Sequence, residues 1–336
     1  MTHRVGIIGT GGIAVRHMEG YRLAGAEVVA IADVVPATLE LRQHEWSVPT
    51  GYLDYRDLLA DPTIDAVSVC TPNALHHDVT VAAAKAGKHV LCEKPISMNL
   101  AQAQAMIDAC AEARVTLQIG HHMRSMTTAM RAKAIIDSGA IGRITYARFR
   151  QAHDWGGARA VRPSFGSLAN SGGGTLLDNG CHLFDLARFL GGDVVDVFAR
   201  IATLKFDVEV EDTAVSSLRY ASGALANVEV AWTGVGWHEA FWVYGTEGSL
   251  EYDNRVSETK LVVRTRESNA TTWADVDMTT YDLRGHESHL ASVVNFLAAV
   301  DGLRPVVCTG RDGLEAVRLV LASYESAATG TPVSLG

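Results

Sequence analysis

Between Arg4 and Gly120 the chain alternates short β-branched apolar runs with Ala-rich stretches of helical spacing. The runs VGIIG, AEVVAIAD, AVSVC, HVLCE and VTLQIG show little polar alternation, which is how strands covered on both faces read. Helices are predicted from the end of the first run to about Leu23, and over 38–46, 55–59, 75–86 and 100–113. The rhythm amounts to six parallel strands with helical crossovers, a doubly wound α/β sheet that right-handed connections assemble in few ways.

Beyond Gly120 the pattern changes. A predicted helix over 127–138 leads into ITYARFRQ, a Gly-rich loop and a helix near 181–190. The segments VVDVFARIA, TAVSSLRY, ALANVEVAW, AFWVYG and KLVVRT then alternate apolar and polar positions between turn signals such as SG and EGS. Such alternation predicts a mainly antiparallel open sheet with one wet face. Helices over 286–300 and 312–328 close the chain. The break in pattern places one domain at 1–122 and a second α/β domain at 123–336.

Composition narrows the partners. At 336 residues the chain exceeds one growing core, in keeping with two domains. Lys plus Arg number 29 against 38 Asp plus Glu, a net charge of −9. That balance argues against nucleic acid or an anionic membrane as partner. No apolar run is long enough to span a bilayer, and MTHRVGIIG enters a strand without a leader pattern. The five cysteines are scattered without a CxxC pair, which predicts reduced thiols and a cytoplasmic protein.

Chemistry enters at the first turn. Gly9, Gly11 and Ala14 form GxGxxA between a predicted strand and helix, with Thr10, Gly12 and Ile13 completing the turn. The first glycine permits the tight turn, the second admits a pyrophosphate, and the small third residue lets helix and strand pack closely. Asp33 ends the second strand 19 residues after Ala14, where an acid accepts from ribose hydroxyls and repels a 2′-phosphate. Val34 and Val35 follow it rather than Arg or Lys, so NAD is expected over NADP. A helix cap is the other reading of Asp33.

CTPNALHHD at 70–78 and CEKP at 92–95 follow predicted strands, at the carboxyl ends where ligands bind. With GTGGIA and the later GGGTLLDNGCHLFDLARFLGG, they make the sequence resemble the glucose–fructose oxidoreductase / inositol dehydrogenase (Gfo/Idh/MocA) family. The resemblance implies a Rossmann domain, a following α/β domain, and hydride exchange between NAD(P) and a hydroxyl or ketone of a sugar or cyclitol. It further implies Thr71, Pro72, Asn73 and His76 on the nicotinamide side, Glu93 at the ribose or nicotinamide, and Lys94 at the reacting oxygen. By the same resemblance His122 and Arg124, after the sixth strand, are expected as cofactor and substrate contacts, and Met123 departs from the Arg that many members of the family would place there.

Asp178 and His182 stand four apart, with Asp185 three further on, so a helix puts them on one face. An imidazole suits removal of a hydroxyl proton, which makes His182 the candidate base and Asp178 its orienting or substrate-binding partner. Lys94 then stays cationic and stabilises alkoxide charge, or shares the proton, and the sequence leaves open which of Lys94 and His182 takes it first. His76, His77, His121, His122 and His182 could chelate zinc, yet no metal is expected, because the lysine supplies the positive charge. Trp155, Trp232, Trp237 and Trp242 are candidates for a sugar platform or for sheet packing, and Asp154, Arg159 and Arg162 for specificity or a solvated loop. An NAD-retaining glycosidase and a cofactor-bound sensor remain open beside the dehydrogenase. The apolar face of the second sheet predicts a homodimer or homotetramer.

Overall fold

Strands that bury both faces need no polar alternation, and those of the first half have little. In the computed structural model β1 (Arg4–Ile8), β2 (Glu27–Ala32), β4 (Ala66–Val69) and β5 (His89–Cys92) are almost wholly buried. With β3 (Thr50–Tyr52) and β6 (Leu117–Ile119) they form a six-stranded parallel sheet in the order β3-β2-β1-β4-β5-β6. The three-residue β3 is the strand that no apolar run marks. The described residues are 2–154, 163–258, 260–266, 272–275 and 288–336.

The crossovers are α1 (Gly12–Leu23), α2 (Pro36–Trp46), α3 (Tyr55–Leu59), α4 (His76–Lys85) and α5 (Leu100–Glu112). Local chemistry sets their starts. Pro36 opens α2, where a missing N–H costs nothing, and Asn99 caps α5 by accepting from Gln102 N at 2.9 Å.

The chain divides into two compact units, Met1–Ser125 with Glu287–Leu314, and Met126–His286 with Glu315–Gly336. Against the expected cut after residue 122, the first stretch runs to Ser125, and the chain returns to its first unit near the end. Helix Ser288–Val300 explains this, since Val293, Phe296 and Leu297 share one core with Val5, Ile7, Met18 and Tyr21. A single contact makes the fit specific: a Cβ at Gly20 of α1 would lie 2.6 Å from Val293.

In the second unit β7 (Ile144–Ala152), β8 (Val194–Ala202), β9 (Thr213–Tyr220), β10 (Leu225–Ala231), β11 (His238–Gly245), β12 (Gly248–Asp253), β13 (Lys260–Thr265), β14 (Thr272–Asp275) and β15 (Val333–Ser334) form one sheet. Their order is β14-β13-β12-β11-β7-β10-β9-β8-β15. All pairs are antiparallel except β7 with β10. Along β9 the alternation is complete: Ala214, Ser216, Leu218 and Tyr220 are buried, while Val215, Ser217 and Arg219 face out. Helices α6 (Thr127–Asp137), Cys181–Gly191 and Gly310–Thr329 supply the helical layer. Strand β12 falls where EGS reads only as a turn signal.

Candidate active site

In the first unit the turn after β1 is set by Gly9, whose φ of +84° is left-handed and whose Cβ would collide with the Cys70 carbonyl oxygen at 2.6 Å. Thr10 is held by Asp33, whose Oδ2 accepts from both Thr10 N and Thr10 Oγ1 at 2.8 Å. Asp33 Oδ1 accepts from Val35 N at 2.9 Å, and Arg42 Nε donates to the Thr10 carbonyl at 3.2 Å. Asp33, the residue just after β2, thus braces the turn. Gly11 and Gly12 are exposed at the start of α1, and Cβ atoms there would meet nothing within 4 Å. Ala14 is fully buried and Ile13 packs partly against the core.

At the ends of β4 and β5 lie Thr71, Pro72, Asn73, Glu93 and Lys94. Thr71 Oγ1 is buried with no hydrogen-bond partner among the described residues. An orphaned polar atom beside an open glycine turn at a helix start fits a dinucleotide, whose phosphates and amide supply acceptors and donors. His76 sits differently from its expected cofactor contact. It is 1% exposed, with ring nitrogens 2.7 Å from the Pro95 and 3.0 Å from the Thr71 carbonyl oxygens. Burial pulls its pKa down, against the two carbonyls. Its place makes it a brace between the β4 and β5 turns, because both ring nitrogens face their carbonyls.

Glu93 is buried, and its Oε2 accepts from Lys94 N at 3.2 Å in a turn that continues through a cis Lys94–Pro95 bond. Burial alone would raise its carboxyl, but the hydrogen bond from His17 at 3.0 Å, with Lys94 and His289, holds it down at about 2. His122 stacks on His289 at 3.6 Å between ring centroids and bonds Ser288 Oγ at 2.7 Å. Burial pushes His122 well below its ordinary value, and His289 down to about 4.

Arg124 corrects another expectation. It is 6% exposed, pairs with Asp312 at 3.0 Å and donates to the Val307 carbonyl at 3.2 Å. The guanidinium clips the returning segment to the end of β6, and so it is spent on the fold rather than offered to a substrate. Met123, in place of the family's arginine, is buried at 1%.

In the second unit the loop with Gly172–Gly174 runs into a π-helical turn, Leu176–Gly180, before helix Cys181–Gly191. Such turns are uncommon and cluster at functional sites. The backbone comes so close that a Cβ at Gly174 would lie 1.8 Å from the Glu211 carbonyl oxygen. Glu211 accepts from Gly174 N, Leu176 N and Tyr324 Oη at 3.0, 2.8 and 3.0 Å, fixing the turn. Asp178 is half-buried on the π turn, His182 is 4% exposed on the first turn of the helix, and Asp185 is fully buried one turn on. Between them Asn179 donates to Gln151 Oε1 at 2.7 Å, contacts His153 Nε2 at 3.0 Å and accepts from Trp232 Nε1 at 2.8 Å. Trp232 is therefore a buried strut and not a sugar platform. Trp237 is 45% exposed and stacks on His153 at 4.3 Å, and Trp242 lies under the Arg148 guanidinium at 5.1 Å. Trp155, Arg159 and Arg162 lie outside the described residues.

His17, Ser68, His289 and Asn179 escape a motif-based reading. His17 carried one usable signal, since it lies in the inward stripe 14, 17, 18, 21 of α1, where a polar ring demands a partner. Among the described residues no three His, Cys, Asp or Glu side chains cluster to hold a metal ion, and no helix is long and apolar enough to cross a membrane.

A doubly wound sheet whose strand ends carry this glycine turn and acid falls in the class of dinucleotide-binding proteins. Residues 3–121 match the GFO/IDH/MocA family, described as an oxidoreductase family with an NAD-binding Rossmann fold, and residues 129–251 match that family's C-terminal domain. The chain belongs to this family. Similar proteins include myo-inositol 2-dehydrogenase of Thermotoga maritima, 31% identical with 96% of each chain covered. Another is 1,5-anhydro-D-fructose reductase of Ensifer adhaerens, 34% identical over 98% of this chain and 97% of the relative. Among solved structures, levoglucosan dehydrogenase in complex with NADH and levoglucosan is similar with a TM-score of 0.89, 26% identity and full coverage of both chains.

Proposed function

We propose that this chain is an NAD-dependent dehydrogenase that exchanges hydride with a secondary alcohol or ketone of a sugar, cyclitol or related polyol. The observation that carries this reading is the anchoring of Lys94 by a buried carboxylate, Glu93, held down at about 2. Gly9 to Ala14 and Asp33 would hold the pyrophosphate and ribose, and Thr71, Pro72, Asn73, Glu93, Lys94 and His122 the nicotinamide end. The carboxylate of Asp33 favours NAD by repelling a 2′-phosphate. When bound, the cofactor would supply the hydride acceptor for the carbinol carbon or the hydride donor for the ketone.

The chain's own residues handle the proton. His182 receives it from the substrate hydroxyl at a ring nitrogen, Asp178 orients the imidazole or a substrate hydroxyl, and the Lys94 ammonium stabilises the oxygen as negative charge builds on it. The relatives' names support a polyol substrate of this kind. Five buried free thiols favour the cytoplasm. A homodimer or homotetramer is supported by the sheet face on which the partly exposed aromatic side chains Tyr146, Tyr244 and Trp242 lie together.

Incubation with NAD and a panel of cyclitols, anhydrosugars and aldoses, followed by NADH absorbance, tests the reaction. NADH formation with at least one polyol is expected. Glycoside cleavage without net NADH, or silence across the panel, would overturn it.

A further inference from the structure

Next to the Lys94 turn a buried line of polar groups runs from α1 over β4 to the end of β5. Tyr21 Oη lies 2.7 Å from Ser68 Oγ, Ser68 Oγ 2.8 Å from His17 Nδ1, and His17 Nε2 3.0 Å from Glu93 Oε1. Tyr21 and Ser68 are 0% exposed, His17 3% and Glu93 8%. Three elements supply these groups: α1, β4 and the end of β5.

Counting hydrogens gives the line a direction. An ionised carboxylate only accepts, so His17 donates from Nε2. If Nδ1 also carried a proton, Ser68 would have to accept it, and either the Ser68 or the Tyr21 hydroxyl proton would be left in the line without an acceptor. Reversing the outer bonds satisfies every group: Tyr21 donates to Ser68, Ser68 to Nδ1, and Nε2 to Glu93. Glu93 ends the chain and takes Lys94 N–H on its other oxygen.

We infer that Tyr21, Ser68 and His17 form a one-way hydrogen-bond chain that locks Glu93 beside Lys94, so that His17 is a positioning residue for the lysine; this rests on the role proposed above for Lys94. The charged and titratable groups around Glu93 agree with it. His17 faces it from α1, His76 from α4, His289 from helix Ser288–Val300, Lys94 from the same turn, and the Cys70 and Cys92 thiols from the ends of β4 and β5. Burial pushes both thiols up, so neither competes as an anion. Without His17 the desolvation of Glu93 is opposed only by Lys94 and His289, and the carboxyl moves toward its neutral form, which no longer holds the lysine turn in the same way.

Nitrogen-15 NMR of the histidine-labelled full chain, free of cofactor and substrate, tests the direction of the chain. The His17 ring, assigned with His17→Gln, should carry its proton on Nε2 with Nδ1 as acceptor. A proton on Nδ1 alone overturns the proposal, whether or not any sugar is turned over. Carbon-13 carboxyl titration of labelled glutamates, with Glu93 assigned by Glu93→Gln, tests the lock. Glu93 should stay ionised down to about pH 4 in the native chain, titrate at least about two units higher in His17→Leu, and return to within about one unit in His17→Gln, whose amide still donates. In parallel kcat should fall about tenfold in His17→Leu, with the acid limb of its pH profile moved up, and largely recover in His17→Gln. A folded His17→Leu with unmoved Glu93 titration contradicts the proposal. The predicted NMR pattern in a protein that oxidises no polyol would instead refute the dehydrogenase reading while leaving the chain to Glu93 in place.

Discussion

Two buried glutamates, one in each unit, meet opposite fates. Glu93 and Glu239 are 8% and 7% exposed, and burial pushes both toward the neutral form. Glu239 has an amide partner, Gln151 at 2.8 Å, and its pKa rises to about 6. Glu93 accepts from His17 and from Lys94 N, with the Lys94 ammonium as a cationic neighbour, and is held down at about 2. The difference lies in the partners rather than the depth. The first unit keeps a fixed anion beside its lysine, whereas the second builds a wall of amides, indole and imidazole around Asn179.

The sharpest break in this comparison would come from the reacting groups themselves. Lys94→Ala and His182→Ala should each lower kcat by about 100-fold or more while leaving NAD affinity almost unchanged by fluorescence titration. Near-native turnover in either variant removes that residue from the proton pathway. Next in size is Glu93→Gln. A carboxyl lowered from 4.5 to about 2 contributes stability that is present above about pH 4.5 and lost as pH falls toward 2. Its removal should cost about 3 kcal/mol at pH 7.5 in denaturant unfolding. Glu239→Gln should do the reverse. Its folded pKa is raised from 4.5 to about 6, so its contribution is full below about 4.5 and lost as pH rises through 6. The variant should gain about 2 kcal/mol on the native chain between pH 4.5 and pH 7.5. Equal pH profiles for the two glutamine variants would erase the contrast. Smallest is Asp33→Ala, expected to lower the NAD to NADP ratio of kcat/KM about tenfold; an unchanged ratio would leave Asp33 as a brace for Thr10 alone.

Local signals carried the succession of strands and helices in the first unit and the glycine turn, because periodicity and the geometry of a tight turn are written in neighbouring residues. The return of residues 287–314 to the first unit was not legible, since a helix following a sheet looks the same whichever core it joins. Arg124 and His76 show the same limit at the site. Each lies within a functional motif, yet burial against Asp312 and Val307, or against the Thr71 and Pro95 carbonyls, turns it to structural use. Motifs report which residues stand near a site, and long-range packing decides which of them face it. His17 is the converse: it stands outside the motif yet reaches Glu93, 76 positions away.

The central claim is hydride transfer between a polyol carbinol carbon and the nicotinamide. A polyol substrate deuterated at its carbinol carbons, incubated with NAD and followed by mass spectrometry of the NADH formed, measures that transfer directly. One deuterium per NADH is expected, with slower turnover of the labelled substrate where the hydride step limits the rate. NADH free of deuterium, or deuterium lost to water without NADH, would contradict it.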